Sequence, residues 1–513
     1  MKVWQKARGK RLKEKPLLLP LALSLFRGSC MKILFVASEA APFAKTGGLA
    51  DVVGSLPKAL KLLGHDVRII LPFYKSIVTG SFEVSGALYR CGVPLGNAVE
   101  TGVLRQTSME GIPVYFLENG SFFGREFLYG TPTGDYPDNP RRFSFFCRGV
   151  LEFLEHLDFC PDILHCHDWQ TALIPILLKY EAESFPFFRN TAVLYTIHNL
   201  AYQGLFPTKS LEAMGFDRSY FTLDRLEYYG KVNLMKGAIL SADLINTVSE
   251  TYCEEIQTPI LGCGLDGVLR SRRNDLSGIL NGLDYTEWDP ATDRELFATF
   301  TAEAPEGKRA NKKELQRLLG LAQSAETPLL GIVSRLSAQK GFDLIAKLLP
   351  RFAAEEMQLV ILGAGEEKYV RLLHKAAGST THNISFNFGF HSSLAHKVYA
   401  GCDIFLMPSQ YEPCGLGQLI ALHYGTVPVV RKTGGLADTV HDPRDRREPT
   451  GFAFGPYSSS ALWEAIARAV QAWQSREEWQ TIVRRDMRLD FSWGHSAQKY
   501  DELYRRGIEK KRG

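Results

Sequence analysis

The residues with the clearest chemical potential are cations and one carboxylate that follow predicted strands. Lys45 lies in the run KTGGLADV, shortly after the apolar run KILFVAS. Gly47 and Gly48 let the backbone approach a ligand there, and the helix start that follows offers free N–H groups to an anion. A solvated lysine beside an ordinary strand-to-helix turn is the alternative. The run alone does not decide between them.

A second pair of cations occurs in the run VSRLSAQKGFDL, where Arg335 and Lys340 stand five residues apart just after a predicted strand. Two cations in such a loop suit a diphosphate whose negative charge grows as it departs. Most Lys and Arg side chains are merely solvated, so an unpartnered surface pair is the alternative. The position of Arg335 and Lys340 just after a strand favours a functional role over an unpartnered surface pair.

The run MPSQYEPCGLGQ places a lone carboxylate, Glu412, beside a glycine-rich helix start. This arrangement suits a sugar diphosphate, with Glu412 near the sugar and the N–H groups of Gly415 and Leu416 toward the phosphates. Cys414 reads as a small packing residue rather than a nucleophile, because no His neighbours it in sequence. A second TGGL run follows, and the predicted substrate-binding set extends over Cys414, Gly415, Leu416, Gly417, Thr433 and Gly434.

Polar residues also follow two strands of the first half, in HCHDWQTA and TIHNLAYQG. We interpret Asp168 as a partner of a sugar hydroxyl, whereas His198 and Asn199 either face the ligand or cap the core. A metal held by His165, His167 and Asp168 is the less favoured reading, because no fourth ligand cluster is evident. The chain contains no Asp-x-Asp pair, so cations of the protein are expected to neutralise a diphosphate.

Length and composition limit the classes of protein that this chain can represent. Its 513 residues exceed one ordinary core, and 45% hydrophobic and 23% charged residues fit a globular protein, so we expect two sizeable domains. A net charge of +4 does not indicate nucleic-acid binding. Nine cysteines without a Cys-x-x-Cys pair favour neither a disulfide framework nor a zinc module, and they favour a reducing cytoplasm.

The first thirty residues superficially resemble a secretory signal, since a basic stretch precedes the apolar run PLLLPLALSLF. That run of about 11 residues is too short to span a bilayer, and Arg27 interrupts the approach to any cleavage site. We therefore predict a mis-assigned start or a disordered extension, with Met31 opening the folded chain and no membrane association.

Short apolar runs alternate with amphipathic stretches along the rest of the chain, which predicts doubly wound α/β domains with parallel sheets. Six strands are predicted in each half, from KILFVAS to DLINTVS and from PLLGIVSR to TGFAF. The predicted units are an extension (1–30), a first Rossmann-like domain (31–285), a second one (286–485) and a C-terminal helix (486–513) that could pack back on the first domain. Ligands of such sheets bind at the carboxyl ends of the strands.

The position of one glycine-rich run along the chain argues against dinucleotide binding. The run GCGLDG fits Gly-x-Gly-x-x-Gly, but it lies mid-chain after a helical stretch rather than between a strand and a helix of the first βαβ unit. An NAD-dependent oxidoreductase is therefore not favoured.

The motifs together resemble the bacterial glycogen synthase and plant starch synthase family of retaining glycosyltransferases, glycosyltransferase family 5. The resemblance covers about residues 31–505 and rests on KTGGLADVVGSLP, HDWQTA, HNLAYQG, NGLDYTEWDP, VSRLSAQKGFDL, YEPCGLGQ, RKTGGLADTV and FSWGHSAQKY. It implies the GT-B fold, two Rossmann-like domains facing a central cleft. It also implies transfer of glucose from ADP-glucose to the non-reducing end of an α-1,4-glucan such as glycogen, with retention and without a required metal or other cofactor.

The resemblance also implies roles for individual residues. Lys45 matches the lysine that binds ADP-glucose, Arg335 and Lys340 match the diphosphate-binding pair, and Glu412 matches the carboxylate near the sugar. His198 corresponds to a histidine beside the transferring glucose, with Asp168 and Asn199 as hydroxyl partners. A related transferase that uses UDP-glucose and a small acceptor, and a non-catalytic glucan-binding protein, remain the alternatives.

Overall fold

The computed structural model describes residues 29–131, 133–377, 382–389, 391–445 and 447–513. The predicted extension lies outside the described residues apart from its last two positions, so that prediction is untested. No helix within the described ranges is long and apolar enough to cross a bilayer.

The first half of the chain is built from fourteen strands and nine α-helices within the described residues. The strands are β1 (Lys32–Val36), β2 (Asp66–Pro72), β3 (Tyr89–Leu95), β4 (Ala98–Met109), β5 (Ile112–Glu118), β6 (Gly130–Thr131), β7 (Gly134–Asp135), β8 (Ile163–His167), β9 (Ala192–Ile197), β10 (Leu205–Pro207), β11 (Glu227–Tyr228), β12 (Lys231–Asn233), β13 (Leu244–Thr247) and β14 (Leu276–Gly278). The helices are α1 (Gly48–Leu62), α2 (Lys75–Val78), α3 (Gly120–Phe123), α4 (Asn139–His156), α5 (Leu173–Tyr180), α6 (Ser210–Ala213), α7 (Leu234–Ser241), α8 (Glu250–Glu255) and α9 (Asp266–Ser271).

The second half forms another sheet and the remaining helices. Its strands are β15 (Leu329–Val333), β16 (Gln358–Gly363), β17 (Ile384–Phe388), β18 (Ile404–Met407), β19 (Val427–Arg431) and β20 (Phe452–Phe454). Its helices are α10 (Glu306–Leu318), α11 (Phe342–Ala354), α12 (Glu367–Ala377), α13 (Ser392–Gly401), α14 (Gly417–His423), α15 (Gly434–Thr439), α16 (Ser459–Gln474), α17 (Arg476–Asp486) and α18 (Trp493–Arg512).

Each half has one large sheet, and the predicted α/β class with two Rossmann-like sheets is confirmed. The first sheet has nine strands in the order β14-β13-β9-β8-β1-β2-β5-β4-β3, and the second has six in the order β17-β16-β15-β18-β19-β20. Central strands such as β8 and β9 are buried at every residue. Such continuous burial is expected of parallel strands that are covered by helices on both faces.

The first sheet is not wholly parallel, which corrects the prediction from sequence. Strands β3 and β4 form an antiparallel hairpin, and β4 also pairs antiparallel with β5. Gly96 occupies the turn with a φ of +61°, a conformation that favours glycine. The sequence did not reveal these two strands, because both mix buried, half-buried and exposed residues and lack a long apolar run.

The chain crosses between the halves twice, and the two crossings lie side by side. The backbone N–H of Leu283 donates to the carbonyl of Phe491 at 2.7 Å. Leu283 belongs to the core of the second half, whereas Trp493 at the start of α18 belongs to the core of the first. Helix α18 thus packs on the first sheet, where Tyr500 and Tyr504 are buried.

Candidate functional site

The first glycine-rich loop connects β1 to α1 and is held by a carboxylate, Glu39, that sequence reasoning did not single out. Its oxygens accept hydrogen bonds from the Thr46 N–H (2.5 Å), the Thr46 hydroxyl (2.7 Å) and the Tyr129 hydroxyl (2.6 Å). Glu39 is 4% exposed, so this anchor is shielded from water. A Cβ added at Gly47 or Gly48 would meet nothing within 4 Å. The two glycines therefore border open space, as a ligand-facing loop requires.

Lys45 projects from this loop with a half-exposed side chain. Its Nζ atom lies 2.5 Å from Oδ1 of Asp51, which stands six residues further along the chain in α1. Burial raises the pKa of Asp51, and the charge of Lys45 opposes that rise. Lys45 is therefore a paired cation in this structure, and an anionic ligand would compete with Asp51 for it.

In the second half, the loop that carries Arg335 and Lys340 packs directly on the loop that leads to Glu412. Gln339 accepts the N–H of Gln410 at 2.7 Å and donates its side-chain amide to the carbonyl of Tyr411 at 3.1 Å. Gly341 has a φ of +74°, and a Cβ there would lie 2.1 Å from the carbonyl oxygen of Pro408. Glycine is thus required for the two loops to approach each other.

Glu412 and Lys340 form a buried ion pair across these loops. The Nζ atom of Lys340 lies 2.6 Å from Oε2 of Glu412, and the Ser409 hydroxyl donates to the same oxygen at 2.9 Å. The Glu412 side chain is 7% exposed and that of Lys340 is 17% exposed. Arg335 is exposed and forms no ion pair within the described residues. The two predicted diphosphate cations therefore differ, since only Lys340 is already neutralised.

The residues after Glu412 turn sharply into α14. Gly415 has a φ of +79°, and the loop that starts α15 packs against the Glu412 backbone, because a Cβ at Gly434 would lie 1.9 Å from the Glu412 carbonyl oxygen. Burial raises the pKa of the Cys414 thiol to about 12, which leaves little thiolate. This agrees with its interpretation as a packing residue.

The N–H and hydroxyl groups of the second TGGL run are engaged by a carboxylate from the other half of the chain. Glu255, the last residue of α8, accepts the Thr433 hydroxyl at 2.9 Å and the Gly434 N–H at 3.0 Å. Burial raises the pKa of Glu255, and these two hydrogen bonds oppose the rise. The prediction that Thr433 and Gly434 bind the donor therefore requires Glu255 to be displaced.

Asp168, His198 and Asn199 meet at the carboxyl ends of β8 and β9. Oδ1 of Asp168 accepts the backbone N–H of His198 at 2.8 Å, and burial raises the pKa of Asp168 to about 7. His198 shares a 3.0 Å hydrogen bond between its Nε2 and Nδ1 of His167. Burial lowers the pKa of His198 to about 3, so its ring is neutral near pH 7. The Asn199 side chain lies beside Tyr411, which joins this group to the Glu412 loop.

Both ring nitrogens of His165 have protein partners. Its Nε2 bonds the Thr196 hydroxyl at 2.6 Å, and its Nδ1 bonds the hydroxyl of Tyr504 on α18 at 2.9 Å. Within the described ranges, no group of three or more His, Cys, Asp or Glu side chains has an arrangement that could hold a metal ion.

A cleft of about 320 Å³ joins the two halves and is lined by Lys45, Asp51, Asp284, Glu287, Arg335 and Gly417, among others. It thus brings together one predicted cation from each half. The glutamate and aspartates on its wall were not predicted as site residues. Asp51 stands inside the KTGGLAD run and Asp284 inside NGLDYTEWDP, so their position in these motifs is the signal that could have found them.

Comparison with known proteins identifies the family. Residues 32–271 match the family described as "Starch synthase catalytic domain", and residues 321–486 match that described as "Glycosyl transferases group 1". The chain is 60% identical over 482 residues to a glycogen synthase of Geotalea uraniireducens (strain Rf4), with 94% of this chain and 100% of that relative covered. The chain belongs to the glycogen synthase family.

Other members of the glycogen synthase family and solved structures support the same assignment of family and fold. A glycogen synthase of Geobacillus stearothermophilus is 43% identical, with 94% of this chain and 98% of that protein covered. The catalytic domain of starch synthase IV from Arabidopsis thaliana, solved with bound ADP and acarbose, superposes with a TM-score of 0.86 at 35% identity, covering 94% of this chain and 100% of that one. A sucrose-phosphate synthase from Thermosynechococcus elongatus, with a TM-score of 0.58 at 17% identity, shares the fold. The GT-B fold and the family are thereby confirmed.

Proposed function

We propose that this chain transfers glucose from ADP-glucose to the non-reducing end of an α-1,4-glucan, with retention of configuration and release of ADP. The observation that carries the proposal is the buried Lys340–Glu412 pair, 2.6 Å apart, at the carboxyl end of the second sheet beside glycine-rich loops. A cation and a carboxylate held together beside a helix start match a ligand with an anionic end and a polyhydroxyl end.

The cations of the cleft provide the charge complementarity that a nucleotide diphosphate needs. Lys45 reaches the cleft from the first half and Arg335 from the second. The donor would therefore be contacted from both halves, and a diphosphate would replace Asp51 as the partner of Lys45. We propose that these side chains, rather than a metal ion or another cofactor, neutralise the departing diphosphate.

The proposed reaction proceeds on one face of the glucose. The bond between C1 and the diphosphate oxygen breaks, the bond between C1 and O4 of the acceptor forms on the same face, and the O4 proton passes to the departing phosphate oxygen. Arg335 and Lys340 stabilise the charge that develops on that oxygen. A double displacement would need a free carboxylate as nucleophile, whereas Glu412 is already paired with Lys340 and Asp168 accepts the His198 N–H.

The adenine nucleotide and the glucan acceptor are supported by the relatives. The Arabidopsis neighbour was solved with ADP and acarbose, and several relatives bear the name glycogen synthase. The setting that we propose is the reducing cytoplasm, supported by nine cysteines that are all unpaired.

The deciding experiment measures release of ADP or UDP from each donor with glycogen present and absent. We expect ADP release that depends on glycogen and much slower turnover of UDP-glucose. Equal rates with both donors would overturn the donor assignment, and release that is indifferent to glycogen would overturn the acceptor. A glucosyl adduct trapped on Glu412 or Asp168 would instead establish a double displacement.

A further inference from the structure

The ring of His198 is held by His167, a histidine that the sequence suggested only as a less favoured metal ligand. His167 is the last residue of β8, and His198 directly follows β9. Nδ1 of His167 and Nε2 of His198 share a hydrogen bond of 3.0 Å. We propose that His167 is a positioning residue, which fixes the His198 ring in the tautomer that carries its proton on Nδ1. The inference rests on the proposed function, because it concerns the glucose side of the same site.

Both histidine rings are neutral in the folded chain. His167 is fully buried and His198 is 9% exposed, and burial lowers the pKa of each ring. A neutral imidazole has one N–H donor and one bare nitrogen that accepts. The hydrogen bond that the two rings share therefore has two possible directions, and each direction fixes where the second nitrogen of each ring carries or lacks a proton.

The second nitrogen of His167 decides between the two directions. If His198 donated from Nε2, His167 would have to carry its own proton on Nε2, and that atom is buried without a hydrogen-bond partner among the described residues. The neighbouring ring of Phe35 is nearly parallel to that of His167, at 19°, so an N–H in the plane of His167 does not point at its face. Buried N–H groups without an acceptor are rare. In the opposite direction Nδ1 of His167 donates, and the atom without a partner is a bare nitrogen.

The donation from His167 places the proton of His198 on Nδ1. That atom has no protein partner within the described ranges and, unlike Nε2 of His167, it is not fully buried. Asp168, the residue after His167, accepts the backbone N–H of His198 at 2.8 Å. Two consecutive residues thus hold the ring and the backbone of His198. In the proposed reaction, Nδ1–H of His198 donates to a hydroxyl oxygen of the transferring glucose, whereas the other tautomer would present a lone pair to that oxygen.

The tautomer of His198 can be measured directly in the full wild-type chain. Isotopic labelling of the histidine nitrogens and a long-range proton–nitrogen NMR spectrum distinguish a protonated ring nitrogen from a bare one, and the signals lost in His198→Gln assign the His198 ring. His167→Asn keeps an N–H donor at the position of Nδ1, whereas His167→Leu has nearly the shape of Asn and no donor. His382→Asn, in an exposed turn before β17, is the control for loss of a histidine.

We expect His198 to carry its proton on Nδ1 in the wild-type chain, in His167→Asn and in the control, and to shift it toward Nε2 in His167→Leu. His167→Leu should lower kcat by about tenfold or more with little change in KM for ADP-glucose, whereas His167→Asn should stay within about threefold of wild type. A proton on Nε2 of His198 in the wild-type chain, or equal kcat in the two His167 variants, would overturn the proposal. Absence of glucose transfer by the wild-type chain would overturn the proposed function alone, because the spectrum reports the tautomer without turnover.

Discussion

The Nζ atom of Lys340 lies 2.6 Å from Oε2 of Glu412, and both side chains are largely buried between two loops that glycines allow to meet. The pair has a consequence for catalysis. In the proposed reaction, the ammonium group of Lys340, which is balanced by Glu412 in this structure, donates to the diphosphate oxygen as negative charge develops there. On this proposal, the Glu412 carboxylate sets how strongly Lys340 interacts with the donor before and during transfer.

Glu412→Ala should lower kcat by about a hundredfold or more, with a much smaller change in KM for ADP-glucose. Removal of the carboxylate leaves Lys340 unpaired and takes away the group predicted to lie near the sugar. Initial rates of ADP release give both constants. Glu314→Ala, which breaks an exposed pair with Arg317, is the matched control and should leave both constants unchanged. A rise in KM alone would show that Glu412 serves only to bind the donor.

Lys45→Gln should raise KM for ADP-glucose by about tenfold and change kcat little. Lys45 is half exposed, lies in an open loop and forms an ion pair with Asp51, so we expect its charge to be available to the ground-state donor as much as to the transition state. Lys61→Gln, which alters an exposed lysine near the end of α1, the helix that follows the Lys45 loop, is the control. If kcat fell and KM stayed constant, the roles of Lys45 and Glu412 would have to be exchanged.

The sequence was informative where local pattern determines the structure. KILFVAS is an uninterrupted apolar run, so it predicts a buried strand, and with it the position of Lys45 at the carboxyl end of β1. Arg335 and Lys340 were located in the same way. The partners of these residues could not be predicted in this manner. Glu39 lies within a few residues of the loop that it anchors, yet nothing in its spacing distinguishes it from a solvated glutamate.

Contacts between the two halves could not be predicted from the sequence, for a different reason. Glu255 bonds Thr433 and Gly434, which lie almost 180 residues away along the chain. Only the folded arrangement of both sheets brings α8 to α15, where Thr251 also bonds Asp438.

Asp486→Asn should stabilise the chain at high pH and have little effect at low pH. Asp486 is 1% exposed and its Oδ2 has no hydrogen-bond partner among the described residues. Burial raises its pKa to about 8, although Arg485 opposes the rise. The unfolded pKa is near 3.8, so the folded state favours the neutral acid. The contribution of Asp486 to the free energy of unfolding is therefore fully present below pH 3.8 and is lost as the pH rises toward 8.

The measurement is the difference in free energy of unfolding between Asp486→Asn and wild type from pH 4 to pH 9. The difference should grow by roughly 2–5 kcal/mol in favour of the variant as pH rises. Asp135→Asn, at an exposed position, corrects for the general effect of removing a carboxylate. A difference that stays constant with pH would show that Asp486 ionises normally in the folded chain.

Glu255→Ala should strengthen ADP binding severalfold. The carboxylate occupies the Thr433 hydroxyl and the Gly434 N–H, and it places a negative charge where an anionic donor is predicted to bind. Its removal frees both donors and abolishes the repulsion, while Thr251 and Asp438 still connect the two halves. Calorimetric titration with ADP measures the change, and Glu254→Ala at the exposed neighbouring position is the control. Weaker ADP binding in Glu255→Ala would mean that this carboxylate instead holds the loop in the conformation that binds the donor, and unchanged binding would place the diphosphate away from Thr433 and Gly434.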